Sequence, residues 1–280
     1  MNRRLNVEFS RILIIALSAG ALFAMSAAVN AQDTQEKLRA ILDAEHRSAA
    51  HQARDKYRHP VETLSFFGIE DDMTVVEVFP GRGWYTEILA PFLKDHGRFY
   101  AAGNDPDSRS EFARKSTQRF KQKMASHDVF NRVNITVLAP PDKTAIAPAG
   151  SADMVLTFRN IHNWMAGGYA DQVFSAMYEA LKPGGVLGVV EHRGDPSTPQ
   201  DPEARSGYVN QAYAIKLAED AGFEFVGSAE INANPKDSKH HPKGVWTLPP
   251  SLTLGETDRE KYLAIGESDR MTLKFIKPEE

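Results

Sequence analysis

The sequence predicts a doubly wound α/β fold of Rossmann-like type, with a seven-stranded sheet that is mostly parallel and has an antiparallel last strand. Strand and helix patterns alternate from residue 61 to residue 231, which is typical of βαβ units with right-handed crossovers. The first strand pattern, TVVEVF at 74–79, is β-branched and short, as a strand buried on both faces tends to be. A long segment without periodicity then precedes a last strand pattern at 270–276, which we expect to lie antiparallel beside the sixth strand.

The individual elements follow from apolar runs and the turn residues between them. Besides the last strand, six strands are predicted, at 74–79, 98–102, 134–138, 153–158, 186–191 and 223–231. Helices are predicted at 84–95, 107–126, 169–181 and 206–221. Pro91 interrupts the first of these helices, and Gly222 ends the last. The residues KPGG at 182–185 are predicted to stop a helix before the fifth strand begins.

Residues 1–31 are predicted to be an export signal rather than part of the folded domain. Three arginines precede an apolar run at 12–28, and the small residues at 29–31 suit signal peptidase. We therefore expect cleavage after Ala31 and a periplasmic mature protein. The alternative is an uncleaved inner-membrane anchor, because the apolar run is near the lower limit for spanning a bilayer. In that case the uncleaved signal would be the chain's membrane contact.

Two further segments flank the main domain, which we assign to residues 60–280. Residues 32–59 carry a sparse apolar stripe of helical period, and Pro60 ends it. This helical lead-in has Arg54, Asp55 and Arg58 in its last turns, either as a solvated or salt-bridged face or as a lid that carries an arginine toward a ligand. Residues 232–267 lack periodicity and are predicted to be a functional flap or a loosely ordered insertion.

Composition excludes several classes of function. The chain has 280 residues and no cysteine, so disulfides and thiol nucleophiles are excluded. Hydrophobic residues make up 42% and charged residues 25%, as in ordinary globular proteins. A net charge of -4 gives no reason to expect a polyanionic partner, so nucleic acid is disfavoured. The sequence does not indicate the oligomeric state.

The turn after the first strand is the first place to look for a ligand. Glu77 lies near the end of the strand, and Pro80, Gly81 and Gly83 form a turn that lets a ligand approach the backbone closely. Ligands collect at the carboxyl ends of strands in such sheets. A dinucleotide fingerprint would need a small residue at position 86, where this chain has Thr86. A nicotinamide or flavin cofactor is therefore a poor match.

These residues resemble the class I S-adenosylmethionine-dependent methyltransferases. The likeness is carried by three features: EVFPGRG at 77–83, Asp153 at the fourth strand, and LKPGG at 181–185. It covers most of 60–231 and the last strand. The PGxGWYT turn is similar to that of a group of exported, poorly characterised methyltransferase-like proteins. The resemblance implies S-adenosylmethionine as cofactor.

Carried over by position, the resemblance implies that Gly81 and Gly83 let the backbone pass beside the methionine part of the cofactor. Glu77 would hold the turn or the cofactor's amino end, since a carboxylate suits a cation. The chain departs from the family at Phe79, where the family has a glycine, and near Gly103, where an acid normally binds the ribose. Asn104 or Asp105 would substitute for that acid. The full set of predicted cofactor-binding residues is Glu77, Phe79, Pro80, Gly81, Gly83, Tyr85, Asn104, Asp105, Arg159 and Asn160.

Catalytic candidates follow the fourth and fifth strands. His162 lies just after the fourth strand, where methyltransferases commonly hold the acceptor, and its imidazole has a suitable pKa range for a base. The alternative is that His162 and Trp164 only cap a helix and fill space beneath it. Glu191 and His192 end the fifth strand, at the same edge of the sheet. These residues show no metal-ligand spacing, so no metal is predicted.

The sequence therefore predicts an S-adenosylmethionine-dependent methyltransferase that acts on a small-molecule acceptor. The alternative is an exported binding or accessory protein that keeps the fold without methyl transfer. Export argues against the methyltransferase, because this cofactor is made in the cytoplasm and an exported enzyme would need it to be delivered. Phe79 and the absent ribose acid favour the alternative.

Overall fold

The computed structural model describes residues 30–279. The predicted export signal therefore lies outside the described residues, apart from its last two positions. Within 30–279, no helix combines the length and the apolar character needed to cross a membrane.

The seven predicted strands form one sheet, and the predicted fold class is confirmed. The strands are β1 Thr74–Val78, β2 Arg98–Gly103, β3 Val133–Val137, β4 Ala152–Phe158, β5 Leu181–His192, β6 Glu224–Ala229 and β7 Arg270–Ile276. Their order across the sheet is β3-β2-β1-β4-β5-β7-β6. The strands from β3 to β5 are parallel, whereas β7 runs antiparallel to both β5 and β6. The last strand thus lies beside the sixth, as predicted.

Ten helices connect and flank these strands in the described chain. They are α1 30–42, α2 Ala49–Gln52, α3 Asp55–Arg58, α4 Pro60–Phe67, α5 Thr86–Leu93, α6 Glu111–Met124, α7 Ile161–Gly167, α8 Ala170–Ala180, α9 Gln211–Asp220 and α10 Arg259–Ile265. Short 3-10 turns add Asp128–Phe130 and Gly244–Thr247. The predicted helices over 84–95, 107–126 and 206–221 are shorter in the structure. In α6 the reason is a cap, since the Ser110 hydroxyl accepts a bond from the Ala113 N–H.

The sheet is covered on both faces, which makes the fold doubly wound. One face packs against α7, α8 and α9, with Trp164 and Phe174 among the largest buried side chains. The other packs against α1, α4, α5 and α6, with Leu38 and Phe67 fully buried. The ligand edge is therefore left between two packed layers, at the carboxyl ends of the parallel strands.

The helical period of residues 32–59 predicts one helix that continues to Pro60, and this prediction is wrong. The chain bends after α1 because the Arg47 guanidinium donates to the Leu42 carbonyl at 3.0 Å, which takes the place of a helical N–H. Ser48 then caps α2 by accepting from the His51 N–H at 3.3 Å. His59 ends α3 with a left-handed φ of 40°. One helix of 13 residues, α1, and two helices of 4 residues each, α2 and α3, replace one long helix. The end of α3 lies at the ligand edge of the sheet.

The lead-in segment docks on α5 through polar contacts at Glu87. This buried carboxylate accepts a bond from His51 Nδ1 at 2.8 Å and forms an ion pair with Lys123. Burial opposes ionisation, but the bonds from His51 and Lys123 lower the pKa of Glu87 below its usual value. Trp84 Nε1 donates to the His51 carbonyl at 3.0 Å. The lead-in is thus held by an ionised acid rather than by apolar packing alone.

The KPGG residues at 182–185 belong to strand β5 and not to a turn that precedes it. Two bonds to one residue explain the difference. The Gly184 N–H donates to the Lys277 carbonyl at 2.8 Å, and the Lys277 N–H donates to the Gly185 carbonyl at 2.9 Å. Pairing with the residue after β7 therefore extends β5 toward the preceding helix.

Candidate functional site

Two cavities open at the carboxyl ends of the parallel strands, and they share one wall. The first cavity has a volume of about 670 Å³, and the second about 750 Å³. Both lie in the size range of small-molecule sites. The shared wall consists of Phe79, Pro80 and Gly81 after β1 and Asn160 after β4. The predicted ligand turn thus borders both cavities.

The turn after β1 follows an unusual backbone path. Phe79, Gly81 and Gly83 all have left-handed φ angles, of 50°, 61° and 74°. Phe79 therefore adopts the conformation of a glycine although it carries a large side chain, which is rare and costs free energy. Its N–H donates to the Ala102 carbonyl at 2.8 Å, and its ring packs on Trp164 with 6.1 Å between centroids. The turn thus combines a left-handed backbone at Phe79 with an aromatic side chain in its wall.

A second left-handed residue follows the neighbouring strand β4. Arg159 has a φ of 62°, and its N–H donates to the Val190 carbonyl at 2.7 Å. The next residue, Asn160, donates its side-chain amide to the Val78 carbonyl at 3.0 Å. This bond ties the ends of β1 and β4 together. Strain at two adjacent strand ends marks this edge as a candidate site, because such conformations persist where the surroundings enforce them.

The first cavity is lined by neutral groups. Gly103 and Gly81 leave open space where a Cβ would lie, so a ligand has close access to the backbone. Asn104 follows β2 in the lining. Phe112 is 74% exposed and Ile135 37% exposed, and both line this cavity, which gives it an uncovered apolar side.

Asp105 is not part of that lining. Its carboxylate accepts a bond from Lys143 Nζ at 2.7 Å and one from the Asp107 N–H at 3.1 Å. The Lys143 bond contributes most to lowering the pKa of Asp105 below its usual value. Of the two predicted substitutes for the ribose acid, Asn104 is therefore at the cavity and Asp105 is engaged elsewhere.

Arginine dominates the second cavity. Its lining includes five arginines, Arg54, Arg58, Arg82, Arg159 and Arg270, and two glutamates, Glu77 and Glu267. Even with both glutamates ionised, the lining carries an excess of three positive charges. Glu267 accepts bonds from Arg54 at 2.6 Å and Arg58 at 3.3 Å and is also paired with Arg270. Burial opposes its ionisation, but the charges of Arg270 and Arg58 lower the pKa of Glu267 well below its usual range.

Glu77 is a buried carboxyl group at the second cavity, 2% exposed. It accepts a bond from the Thr86 hydroxyl at 2.5 Å. Burial raises the pKa of Glu77 to about 7, although the Thr86 bond and the Arg159 charge act in the opposite direction. A carboxyl group that titrates near neutrality beside a cavity is a candidate for proton transfer.

The cavities divide the predicted cofactor residues into two groups. Phe79, Pro80, Gly81, Asn104 and Asn160 line the first cavity. Glu77, Tyr85 and Arg159 line only the second. Tyr85 stacks on Phe158 there, with 3.4 Å between ring centroids and 8° between planes. Gly83 lies in neither lining. A Cβ added to Gly83 would meet the side chains of Lys123 and Phe120.

The predicted catalytic residues come together, but mostly away from the cavities. His162 Nδ1 lies 3.1 Å from Glu191 Oε1, and His162 is only 6% exposed. Glu191 is fully buried and accepts bonds from the Ile161 N–H at 2.6 Å and the His192 N–H at 2.7 Å. Among the residues lining the two cavities only His192 of this trio appears. Burial, with the nearby charge of His162, lowers the pKa of His192 well below its usual value.

One group of potential metal ligands occurs in the described chain, and it is this same trio. Ligand atoms of His162, Glu191 and His192 all lie within 4.8 Å of one another. Their hydrogen bonds provide a different explanation for the cluster, since Glu191 caps the start of α7 through the Ile161 N–H. His192 Nδ1 also pairs with the Ser268 hydroxyl at 2.5 Å.

The arginine-lined second cavity was not predicted as a unit. Arg54 and Arg58 were considered for a lid, but Glu267, Arg270 and Trp246 were not linked to them. No local spacing connects these residues, because two lie at α3, two in the 232–267 segment and one at the start of β7. That segment forms a wall of the cavity at Val245, Trp246, Pro249, Pro250, Ser251 and Glu267.

No protein-family model matches the chain, and no curated protein matches it. Solved structures do match. A SAM-dependent methyltransferase from Aquifex aeolicus is 16% identical with a TM-score of 0.52, covering 87% of this chain and 98% of that one. The [4+2]-cyclase SpnF is 16% identical with a TM-score of 0.54, covering 84% and 85%.

A third match is phosphoethanolamine N-methyltransferase 2 from Haemonchus contortus, in complex with S-adenosyl-L-methionine. It is 14% identical with a TM-score of 0.52, covering 80% of this chain and 53% of that one. At these identities the likeness concerns the fold. The seven-stranded sheet with its antiparallel β5-β7-β6 end is the Rossmann-like fold of the SAM-dependent methyltransferases.

Proposed function

We propose that this chain is an S-adenosylmethionine-dependent methyltransferase that binds its cofactor in the first cavity and its acceptor in the second. The observation that carries the proposal is the shared wall of Phe79, Pro80, Gly81 and Asn160 at the ends of β1 and β4. Methyl transfer needs two ligands whose reacting atoms meet in line. Two cavities that adjoin at the ligand edge of this fold suit that requirement.

The residues of the first cavity fit the cofactor. Open space at Gly81 and Gly103 gives room beside the backbone for the methionine part and the ribose. Asn104 has no side-chain hydrogen-bond partner within residues 30–279, so its amide is available to the ribose hydroxyls. Phe112 and Ile135 offer exposed apolar surface for the adenine base.

S-adenosylmethionine supplies a methyl group on a cationic sulfur, which the acceptor's lone pair takes while the sulfur keeps the bonding electrons as a neutral thioether. The protein must align the acceptor and receive any proton that the acceptor loses. Glu77 and His192 line the second cavity and are the groups that we assign to that proton. His162 and Glu191 would then act by holding His192 and the start of α7, as positioning residues.

Calorimetric titration of the purified protein with S-adenosylmethionine, and with its demethylated product, tests the proposal. We expect Gly103→Val to abolish binding, because the added side chain projects into open space in the first cavity. Gly227→Val is the matched control, since Gly227 also has open space at its Cβ but lies in β6. Absence of binding by a folded wild-type protein at millimolar ligand would refute the proposal, as would equal affinity in both variants.

A binding or accessory protein without methyl transfer is the second candidate. Two observations favour it: the first cavity has no carboxylate in its lining, and Phe79 occupies a glycine conformation. A binding protein retains the cofactor without converting it. Release of the demethylated product in the presence of acceptor is the discriminating measurement.

Export is part of the proposal. The support is the sequence of residues 1–31, with its arginines, apolar run and small residues before the predicted cleavage point. We expect the periplasmic fraction to contain a protein whose first residue is Gln32, measured by mass spectrometry. A membrane-bound protein that retains residues 1–31 would support the anchor instead.

A further inference from the structure

The second cavity holds more positive charge than its own structure can neutralise. Arg54, Arg58 and Arg270 share the single carboxylate of Glu267. Arg159 is partly exposed at the cavity and has no side-chain hydrogen bond or ion pair in the described chain, whereas Arg58 and Arg270 are each 2% exposed. Buried ions are normally paired, because removing a charge from water without compensation is expensive. The arrangement is therefore incomplete as a purely structural ion-pair network.

Unused donors point to the same conclusion. Arg58 is 2% exposed and lines the cavity, and its Nη1 atom is buried with no hydrogen-bond partner. Arg270 Nε is likewise buried without a partner. Buried donors without partners are rare in native proteins, and each one calls for an explanation such as an absent ion.

Burial lowers the pKa values of two of these arginines, and the positive charge of a neighbouring arginine contributes to each shift. Burial and the nearby charge of Arg270 lower the pKa of Arg159 to about 10. Burial and the charge of Arg159 lower the pKa of Arg58 well below its usual value. An anion placed between them would remove this repulsion. Arg58 is meanwhile held in position, since its guanidinium lies 4.5 Å from the Trp84 ring centroid.

We infer that the second cavity binds a small molecule that carries carboxylate or phosphate groups. Guanidinium groups pair with these oxyanions through two parallel hydrogen bonds, and the unengaged guanidinium of Arg159 can pair in this way. Arg58 and Arg270 each add one donor without a partner. Trp246, 37% exposed, and Tyr85 line the same cavity and would cover the organic part. That this molecule is the methyl acceptor rests on the proposed function. That the second cavity binds such an anion does not.

The test is calorimetric titration of the protein with citrate, with inorganic pyrophosphate, and with glycerol as the neutral control. We expect saturable binding of at least one anion and none of glycerol. Preference for citrate would identify a carboxylate ligand, and preference for pyrophosphate a phosphate ligand. If neither anion binds at about 10 mM, the inference is overturned.

Arg159→Gln is the decisive variant, because it removes the unpaired charge and keeps a polar side chain. We expect about tenfold weaker anion binding together with a higher midpoint of thermal unfolding for the free protein. A structural arginine would behave in the opposite way, so a lower midpoint with unchanged affinity would overturn the inference. Arg98→Gln, at an exposed arginine at the start of β2, is the matched control and should change neither quantity.

Arg54→Gln is the second variant if Arg159→Gln does not fold. The Arg54 side chain is 22% exposed, and Glu267 keeps its pairs with Arg58 and Arg270 in the variant, so we again expect weaker anion binding. Gly103→Val should keep anion binding while losing the cofactor. Anion binding without S-adenosylmethionine binding would reject the proposed function alone. S-adenosylmethionine binding without anion binding would reject this inference alone.

Discussion

The Nε atom of Arg54 donates to Glu267 Oε1 at 2.6 Å, so a residue of the lead-in segment is tied to the loop just before β7. The same carboxylate also pairs with Arg58 and Arg270. One acid therefore connects α3, β7 and the wall of the second cavity. Its removal would leave three guanidinium groups without their shared partner.

Glu267→Gln should destabilise the protein strongly. Removing one partner of a buried ion pair costs about 3–5 kcal/mol, because the remaining charge is left uncompensated. Urea unfolding of the variant and the wild type measures the difference. Glu256→Gln is the control, since Glu256 is 91% exposed and only 3.9 Å from Arg259, and it should have little effect. Similar stability of both variants would contradict the shared role of Glu267.

Glu77→Gln should become more stable relative to the wild type as the pH rises. The folded-state pKa of Glu77 is raised from 4.5 to about 7, so its contribution to stability is fully present below pH 4.5 and is lost as the pH rises to 7. The amide of the variant does not ionise. We expect the stability of the variant relative to wild type to increase by roughly 3 kcal/mol between pH 4 and pH 8.

The measurement for Glu77→Gln is the free energy of unfolding as a function of pH. Thr86→Val provides a check, because it removes the hydroxyl that bonds to Glu77. Loss of that bond should raise the pKa of Glu77 further and move the transition to higher pH. A relative stability of Glu77→Gln that does not depend on pH would contradict the raised pKa.

Glu191→Gln should lower stability, since an amide cannot accept from two backbone N–H groups and His162 together as the carboxylate does. We expect a loss of about 2 kcal/mol, as for a buried donor left unsatisfied.

His162→Ala tests whether His162 is a positioning residue. Lower turnover at unchanged cofactor affinity is expected for a positioning residue, and a shifted pH profile of turnover would mark it as acting through His192.

Metal should not affect the cluster of His162, Glu191 and His192. Its ligand atoms lie within 4.8 Å of one another, but Glu191 already accepts from the Ile161 and His192 N–H groups. We expect the same unfolding midpoint with zinc and with a chelator. A midpoint that rises with zinc, and does not rise in His162→Ala, would show that the predicted absence of a metal is wrong.

Local patterns predicted the sheet well, because strands are encoded by neighbouring residues. The run at 74–79 and the strand at 270–276 were located within one residue. The antiparallel direction of β7 followed from the long segment before it. The lead-in was predicted wrongly because its breaks depend on particular side-chain bonds, such as that from Arg47 to the Leu42 carbonyl, which periodicity does not reveal.

The candidate site was predicted only where it follows strand ends. Gly81, Asn104 and Asn160 are adjacent to strands, so their place at the ligand edge could be derived from the order of elements. The arginine-lined cavity could not, because Arg58 and Arg270 are 212 positions apart in the sequence and meet only through the fold. The choice between Asn104 and Asp105 as the ribose ligand could not be made for a related reason. Lys143, which binds Asp105, lies after β3 in the sequence.

The position of β7 has a consequence for how the chain acquires its structure. β7 is the latest of the seven strands in sequence, yet it lies between β5 and β6, and β6 pairs with no other strand of the described sheet. During synthesis, a chain that has emerged as far as α9 and β6 has no neighbour on which β6 can align. Completion of the sheet must therefore wait for residues 270–276. Until those residues are in place, β5 has one edge without a partner strand and β6 has no strand to pair with.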